Sequence, residues 1–299
     1  MAKITLIQLI NKVKEMPPLP QSITQILEIT KDEKSSSREL AKVFERDPTL
    51  AVNILKLANL PAYGFVSRIS TITHAVVCLG LETVKSIALT SSTNEMLNKE
   101  IPAYSLEKGM LWQHSISSAT CARIIAQRIG YKDNEEAYIA GLLIDIGKII
   151  LSSFAEDEFN QVSERAEKNK IPFNIAEQDV LGFGHPQVGG RIIKKWNLPS
   201  ALVEAVQYHH QPNKAETNKT LTYIVHLADV ISCMLGIGLG SDGLMYLFEE
   251  NTLDILGLSK EDVESIMSEL ADKIQSEEKD EEYDTCDDEL SSYIKTVNA

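Results

Sequence analysis

The chain has 299 residues, 43% of them hydrophobic and 24% charged, which is enough apolar material for a substantial core in one or two domains. Its net charge of −14 opposes a general attraction to nucleic-acid phosphates, because that attraction needs clustered Lys and Arg. No apolar run approaches the ~20 residues of a membrane span, and the start lacks a signal-peptide core. We therefore expect a cytoplasmic protein with no membrane insertion.

The first hundred residues show apolar positions at helical spacing. A first helix is predicted to stop at Pro17, and a second to begin at Ser22. A third is predicted after a capping box at 36–39, and a fourth after Asp47, which is its predicted N-cap. Two further helices meet at Gly80. This pair could form a DNA-reading helix-turn-helix, but the exposed face of its second helix offers few basic or amide side chains. Two core helices are favoured.

A linker is predicted at 98–103, and helical patterns continue beyond it. They cover 106–129, 134–154, 155–168, 173–181, 186–196, 199–210, 221–235, 244–249 and 260–274. No segment alternates as a strand would, so the predicted class is all-α. The predicted units are a helical bundle at 1–100, a second bundle at 101–240, C-terminal helices at 241–275 and a tail at 276–299.

The tail carries nine acidic and two basic residues, half of the net charge. Such a composition is typical of a disordered end, and the alternative is a docking peptide for a basic partner. The cysteines, Cys78, Cys121, Cys233 and Cys286, are far apart and form no CxxC pair. That spacing is typical of reduced thiols and predicts neither a disulfide nor a thiolate metal site.

Five of the six histidines lie beyond residue 105, within the second predicted bundle, together with two aspartates on apolar helices. The candidate metal ligands are His114, Asp145, His185, His209, His210 and Asp229. Imidazoles and carboxylates converging from several helices are what a divalent-metal site in a helical bundle requires. Buried Asp145 needs a partner, either a cation or Lys148 one turn on. We interpret His74 and His226 as capping or core residues.

Longer segments make this set more specific. They are Pro17 to Pro20, Asp47-Pro48, Leu55 to Asn59, Ala75 to Gly80, Trp112 to Ser115, Gly141 to Lys148, Gly184-His185, Trp196 to Pro199 and His209-His210. With these segments the chain resembles, from about Met16 to Leu235, the HDOD proteins. They are a bacterial signalling family related to HD-type metal phosphohydrolases and to HD-GYP cyclic-dinucleotide phosphodiesterases. The resemblance implies an N-terminal helical bundle packed on an HD-like helical bundle.

In catalytic relatives the motif is a histidine, an adjacent His-Asp pair, further histidines and a last aspartate, which bind one or two metals and activate a water. The six candidate ligands match these positions, and Ile144 stands where the motif has the histidine of its His-Asp pair. The resemblance implies that Asp145 is the carboxylate shared between two metals. The ion served by His114 and Asp229 then loses a ligand.

The resemblance supports two functions from different classes. The first is a regulatory signalling module with a degenerate HD-type site, able to bind metal without catalysis, that recognises a signalling protein or a small signalling ligand. The second is a metal-dependent phosphohydrolase or phosphodiesterase acting on a nucleotide or cyclic dinucleotide. It would use Asp145 and Lys148 with one or two ions of Fe, Mn, Ni or Mg, and no nucleotide cofactor. A third possibility is a purely structural set, with Asp145 paired to Lys148 and the histidines bonded to backbone.

Overall fold

The computed structural model describes residues 6–30, 37–59, 69–153, 156–241 and 248–275. Its helices are α1 (Leu6–Glu15), α2 (Gln21–Ile29), α3 (Ser37–Glu45), α4 (Pro48–Ala58), α5 (Ile72–Leu79), α6 (Leu81–Leu97), α7 (Met110–Ile129), α8 (Asn134–Leu143), α9 (Gly147–Leu151), α10 (Glu156–Asn169), α11 (Phe173–Leu181), α12 (His185–Lys195), α13 (Ser200–Tyr208), α14 (Lys219–Met234), α15 (Thr252–Leu256) and α16 (260–275). The β pairing within these described ranges is limited to one isolated antiparallel bridge, between Ile101 and Leu106. The predicted all-α class is confirmed for the described residues.

Helix α6 forms the centre of the first bundle. It packs against α2, α4 and α5 and buries Val84, Ile87 and Ala88. Gly80, with a φ of 82°, separates α5 from α6 as predicted. Because α6 is a core helix, the interpretation of the Gly80 pair as two packed helices agrees with the structure.

The second bundle is built around α7. This helix packs on α8 and α14, while α12 packs on α13 and α9. Asp133 caps α8 by accepting a hydrogen bond from the Glu136 amide at 2.9 Å, and Gly130 ends α7 in the left-handed region. These helices hold the candidate ligands in one interior.

The end of α12 fastens the first helix to the second bundle. The ammonium of Lys195 donates to three carbonyl oxygens at 3.0, 2.8 and 2.5 Å, those of Val13, Lys14 and Met16. The indole of Trp196 donates to the Pro17 carbonyl at 3.0 Å. Cationic and indole donors thus satisfy carbonyls that the end of α1 leaves open.

One predicted helix is wrong in its extent. The pattern over 134–154 predicts a continuous helix, but the chain turns at 144–146 and separates α8 from α9. The physical reason is contact with α12, because the backbone at Gly147 lies directly against that of His185. The turn sets Asp145 at the junction rather than on the side of a helix.

The C-terminal region follows the prediction in part. Most of the predicted helix at 244–249 lies outside the described residues, and 248–250 are not helical. Helix α15 was not predicted, whereas α16 matches its prediction within one residue and buries Ile266 and Leu270. The tail at 276–299 lies outside the described residues, and the division near residue 100 stays a prediction. Among the described helices none combines the length and apolar character that crossing a bilayer requires.

Candidate metal centre

The six predicted ligands come together in the interior of the second bundle. His114 lies on α7, Asp229 on α14 and His185 at the start of α12. Asp145 lies in the turn between α8 and α9, and His209 and His210 directly follow α13. Asp145 is 1% exposed and His185 and His209 are 0% exposed. The centre is therefore enclosed by protein.

Two groups of donors share this interior. His185 Nε2 lies 3.0 Å from His210 Nε2 and 3.4 Å from Asp145 Oδ1. On the other side, His114 Nε2 lies 3.0 Å from Asp229 Oδ1 and 3.6 Å from Asp145 Oδ2. Asp145 stands between the two groups, as the resemblance implies for a shared carboxylate.

Glu177 on α11 is a site residue that the sequence analysis missed. Its carboxylate accepts from the His185 backbone amide at 2.8 Å and lies 2.9 Å from His185 Nδ1. The hydroxyl of Tyr104 donates to the same carboxylate at 2.6 Å. A proton held on Nδ1 leaves the lone pair of Nε2 facing the centre, which is the carboxylate–histidine arrangement found behind metal-ligating histidines.

His209 is oriented in a similar way by backbone. Its Nδ1 donates to the Val206 carbonyl at 2.7 Å, and its buried Nε2 has no hydrogen-bond partner within the described structure. Burial lowers the pKa of His209 to about 4 and also lowers that of His210. Both imidazoles are neutral near pH 7, as metal ligands must be.

Charge at the centre is unbalanced. Three buried carboxylates, on Asp145, Glu177 and Asp229, face the single ammonium of Lys148, which lies 2.7 Å from Asp145 Oδ2. Burial alone raises the pKa of Asp145, but the Lys148 ammonium and the neighbouring histidines outweigh it and hold that pKa below its usual range. In formal charge the three carboxylates exceed the one ammonium by two, and buried charges of this kind need a counter-charge.

The imidazoles on either side of Asp145 respond to these carboxylates. Burial lowers the pKa of His185, but Glu177 outweighs it and the pKa is raised; His114 is raised in the same way by Asp229. Either two imidazolium ions or one divalent cation balances the charge. The two states differ at His209, because only a bound cation also accepts the lone pair of the His209 Nε2.

The donor set fits a divalent metal ion. One ring nitrogen from each of His185, His209 and His210 lies within 4.8 Å of the others. Two imidazoles bound at right angles to one ion at about 2.1 Å place their nitrogens about 3 Å apart, and the His185–His210 separation is 3.0 Å. Ile144, fully buried beside Asp145, supplies no donor.

The remaining two histidines are placed elsewhere. His74 is exposed on α5. His226 Nδ1 donates to the His209 carbonyl at 2.7 Å, and its Nε2 accepts from the Glu249 amide at 3.1 Å. Both nitrogens of His226 are used, so it supports the backbone of His209 instead of joining the ligand set.

A cavity of about 370 Å³ reaches the centre at His210. Its walls include Phe248 and the amide side chains of Asn174, Gln211 and Asn213, together with Lys214, Glu249 and Glu250. His210 is the candidate ligand that lines this cavity. From the cavity wall His210 reaches both donor groups, because its Nε2 lies 3.0 Å from His185 Nε2 and its Nδ1 lies 3.6 Å from Asp229 Oδ2.

Replacing Glu177 by glutamine is expected to weaken divalent-metal binding by about 10- to 100-fold. The amide lacks the charge that holds the proton on His185 Nδ1, and it cannot accept from all three donors that now converge on the carboxylate. Titration against a metal-sensitive dye gives the dissociation constant. Glu167→Gln, at an exposed position on α10, is the matched control and should bind as the wild type does. Equal affinity in the two variants would contradict this role for Glu177.

The metal-free protein is expected to lose stability through His209 as the pH falls from about 6.5 to about 4. The pKa of the folded imidazole is about 4, whereas that of an exposed histidine is about 6.5, so the unfolded chain binds a proton first over this range. The loss amounts to about 3 kcal/mol. Urea unfolding with a chelator measures it, and His209→Gln should show a correspondingly flatter pH dependence. Superimposable pH profiles would show that His209 is not the group responsible.

Comparisons with known proteins agree with this architecture. Residues 16–212 match the HDOD domain. A crystal structure of an HDOD domain protein of unknown function from Geobacter sulfurreducens is 26% identical, with a TM-score of 0.72 over 90% of this chain and 96% of that one. A second crystal structure is of a Shewanella amazonensis protein named as a phosphohydrolase. It is 23% identical, with a TM-score of 0.69 over 88% of this chain and 93% of that one, and this similarity shows the fold alone.

A curated relative from Treponema pallidum, itself uncharacterised, is 22% identical over 222 residues, which is 74% of this chain and 42% of the relative. The chain thus spans less than half of that protein. The family match covers about two thirds of the chain and includes five of the six candidate ligands. On this match, together with the agreement of fold, the chain belongs to the HDOD family.

Proposed function

We propose that this protein is a cytoplasmic regulatory module of bacterial signalling whose HD-like centre binds a divalent cation without two-metal hydrolysis. The cation would be held by His185, His209 and His210, with Asp145 beside them. When bound, it supplies a fixed positive charge that ties α12, α13 and the Asp145 turn together. The surface of the two bundles would then recognise a signalling protein or a small signalling ligand.

One observation carries the metal part of this proposal. The buried His209 Nε2 has no hydrogen-bond partner, in a centre where carboxylates exceed the Lys148 ammonium by two charges. An unsatisfied buried nitrogen costs about 1–3 kcal/mol. A divalent cation satisfies this nitrogen and the charge imbalance at once, whereas protonation of His114 and His185 satisfies only the charge.

Two features support a regulatory role over hydrolysis. Ile144 provides no bond to a second ion, and loss of even an indirect metal partner typically costs about 10- to 100-fold in affinity or activity. Five of the six candidate ligands are also closed off, since none of His114, Asp145, His185, His209 and Asp229 is more than 4% exposed. Closed ligand sets are typical of structural ions, whereas catalytic ions keep an open position.

Elemental analysis of the full chain, as purified and after adding Mn²⁺, Fe²⁺ or Ni²⁺, tests the metal site. We expect bound metal, with a count that falls by one ion in His185→Ala and is unchanged in His74→Ala. The second arm offers cyclic dinucleotides, nucleotides and generic phosphodiesters with Mn²⁺ or Fe²⁺, and we expect no turnover. Turnover abolished by Asp145→Ala would overturn the regulatory role. A centre that stays empty after metal addition would overturn the metal site.

The second candidate function is a phosphohydrolase that works with one ion. The observation that favours it is the cavity of about 370 Å³ that ends at His210. It is large enough for a small phosphate compound to approach the imidazole trio. In this alternative Lys148 leaves Asp145 to contact a phosphate oxygen, so Lys148→Met should abolish turnover while Lys214→Met, in the cavity wall, weakens substrate binding only.

A further inference from the structure

The second donor group contains a residue that the HDOD resemblance does not supply. Cys233 lies one turn after Asp229 on α14, and its Sγ is 3.9 Å from Asp229 Oδ1. Donor atoms of His114, Asp229 and Cys233 all lie within 4.8 Å of one another. The absence of a CxxC pair predicted no thiolate metal site, but an i, i+4 pair on one helix and an imidazole from another bring three ligand types together.

We propose that His114, Asp229 and Cys233 form a second metal site, in which the Cys233 thiolate makes up for the donor missing at Ile144. The site would take a thiophilic divalent ion such as Zn²⁺ rather than Mg²⁺ or Mn²⁺. Sulfur ligands select Zn²⁺, while sites of oxygen ligands suit Mg²⁺ and Mn²⁺. The proposal does not depend on occupancy of the imidazole trio.

The orientation of His114 supports this assignment. Its Nδ1 lies 3.1 Å from the Ile237 carbonyl, which can only accept, so Nδ1 carries a proton and the neutral ring presents the lone pair of Nε2 to Asp229. Two acceptors then face each other at 3.0 Å unless the ring is protonated or a cation lies between them. Asp229 Oδ2, on a side chain 2% exposed, also has no hydrogen-bond partner in the described structure.

The loop after α14 is built to hold His114 in this position. Gly238 has a φ of 60°, and a Cβ there would lie 2.3 Å from the Met110 carbonyl and 2.8 Å from His114 Cβ. A side chain is excluded, so the backbone of the loop closes on the ring and brings the Ile237 carbonyl to Nδ1. A backbone acceptor behind a ligating histidine is a common support for metal ligands.

The distances suit tetrahedral coordination. With Zn–S near 2.3 Å and Zn–N and Zn–O near 2.1 Å, tetrahedral angles place S and O about 3.6 Å apart and N and O about 3.4 Å apart. The corresponding separations here are 3.9 Å and 3.0 Å. Small side-chain movements therefore complete three protein bonds, and Asp145 Oδ2, 3.6 Å from His114 Nε2, lies within reach of the fourth position. Cys233 is partly exposed, which gives the ion a route of entry.

Binding of the ion to Cys233 exchanges a proton for the metal. The Cys233 thiol loses its proton to solvent, and a bond forms between the thiolate and the ion, with no change in oxidation state. Ionisation adds one negative charge, so the second cation raises the net charge of the cluster by one rather than two. Cys121 does not compete, because burial raises the pKa of its thiol.

Titration of the full chain with Co²⁺ tests the site, because a cobalt–thiolate bond gives a charge-transfer absorption that imidazole and carboxylate ligands do not. We expect this absorption in the wild type and in Cys78→Ser, whose cysteine is exposed on α5, and its loss in Cys233→Ser. Cys233→Ser should also raise the Zn²⁺ dissociation constant at least about tenfold. The Mn²⁺ dissociation constant should change little.

His114→Gln is a second variant that should lose the cobalt–thiolate absorption while keeping Cys233. Circular dichroism establishes that each variant is folded. Absorption in Cys233→Ser equal to that of the wild type, or no absorption in the wild type, would overturn the site. Absorption that persists in His185→Ala while the metal count is unchanged would support the thiolate site and overturn the imidazole site, so the two proposals fail separately.

Discussion

Gly147→Ala is expected to lower the free energy of unfolding by about 3 kcal/mol, at the upper end of the usual cost of overpacking. A Cβ at this position would lie 2.0 Å from the His185 carbonyl oxygen and 2.7 Å from the Gly189 amide nitrogen. Both atoms belong to the backbone of α12, so no side-chain rotation relieves the clash. Helices α9 and α12 must separate, and His185 moves away from Asp145. Urea unfolding measures the loss of stability, and metal titration measures the loss of affinity.

Gly190→Ala is the matched control for this variant. Gly190 lies on α12, the helix that Gly147 contacts, and its Cβ would meet Gln207 Cβ at 3.1 Å and Gln207 Oε1 at 3.3 Å, contacts that a shift of a few tenths of an ångström relieves. The gain in helix propensity, about 1 kcal/mol, should offset the contact and leave stability near that of the wild type. If Gly147→Ala were as stable as Gly190→Ala, the close approach of α9 and α12 would be wrong.

The second large effect is expected from Asp145→Ala, which should cost about 3–5 kcal/mol in the metal-free protein. Its removal leaves the Lys148 ammonium, 4% exposed, without the carboxylate that now lies 2.7 Å away. A desolvated charge that loses its counter-charge is far more costly than a pair removed as a whole. Urea unfolding with a chelator present isolates this effect from metal binding.

The double variant Asp145→Ala/Lys148→Met is the control for charge. It removes both members of the pair and keeps an unbranched apolar side chain in place of the lysine, so it should be more stable than Asp145→Ala alone. The coupling energy from the four proteins should exceed about 1 kcal/mol. Additive effects of the two substitutions would show that the ion pair does not contribute as a unit.

The sequence predicts the helices well because apolar spacing reports burial directly. Helices α7, α14 and α16 lie close to their predicted ranges, and six polar residues predicted as ligands from their types and order meet in one interior. The turn at 144–146 escaped prediction because the local pattern there is uniformly apolar. Its cause is distant in sequence, the backbone of His185 against Gly147.

Two residues of the site, Glu177 and Cys233, could not be predicted from the local sequence pattern. Glu177 and Asp179 are both acidic residues on α11, yet Glu177 is fully buried under His185 and Asp179 is on the surface, paired with Arg165 at 3.0 Å. Nothing in the spacing separates them, since burial is decided by α12. Cys233 likewise looks like an isolated thiol until α14 sets it beside Asp229 and α7 adds His114.

The fastening of α1 by Lys195 and Trp196 bears on where this folding unit can be cut. The family match begins at residue 16 and ends at residue 212, so a protein trimmed to those limits would lack the Val13 and Lys14 carbonyls that Lys195 bonds. It would also lack the whole of α14, and with it Asp229. The contacts that hold these elements together therefore extend beyond the family's sequence limits at both ends, from Val13 in α1 to α14.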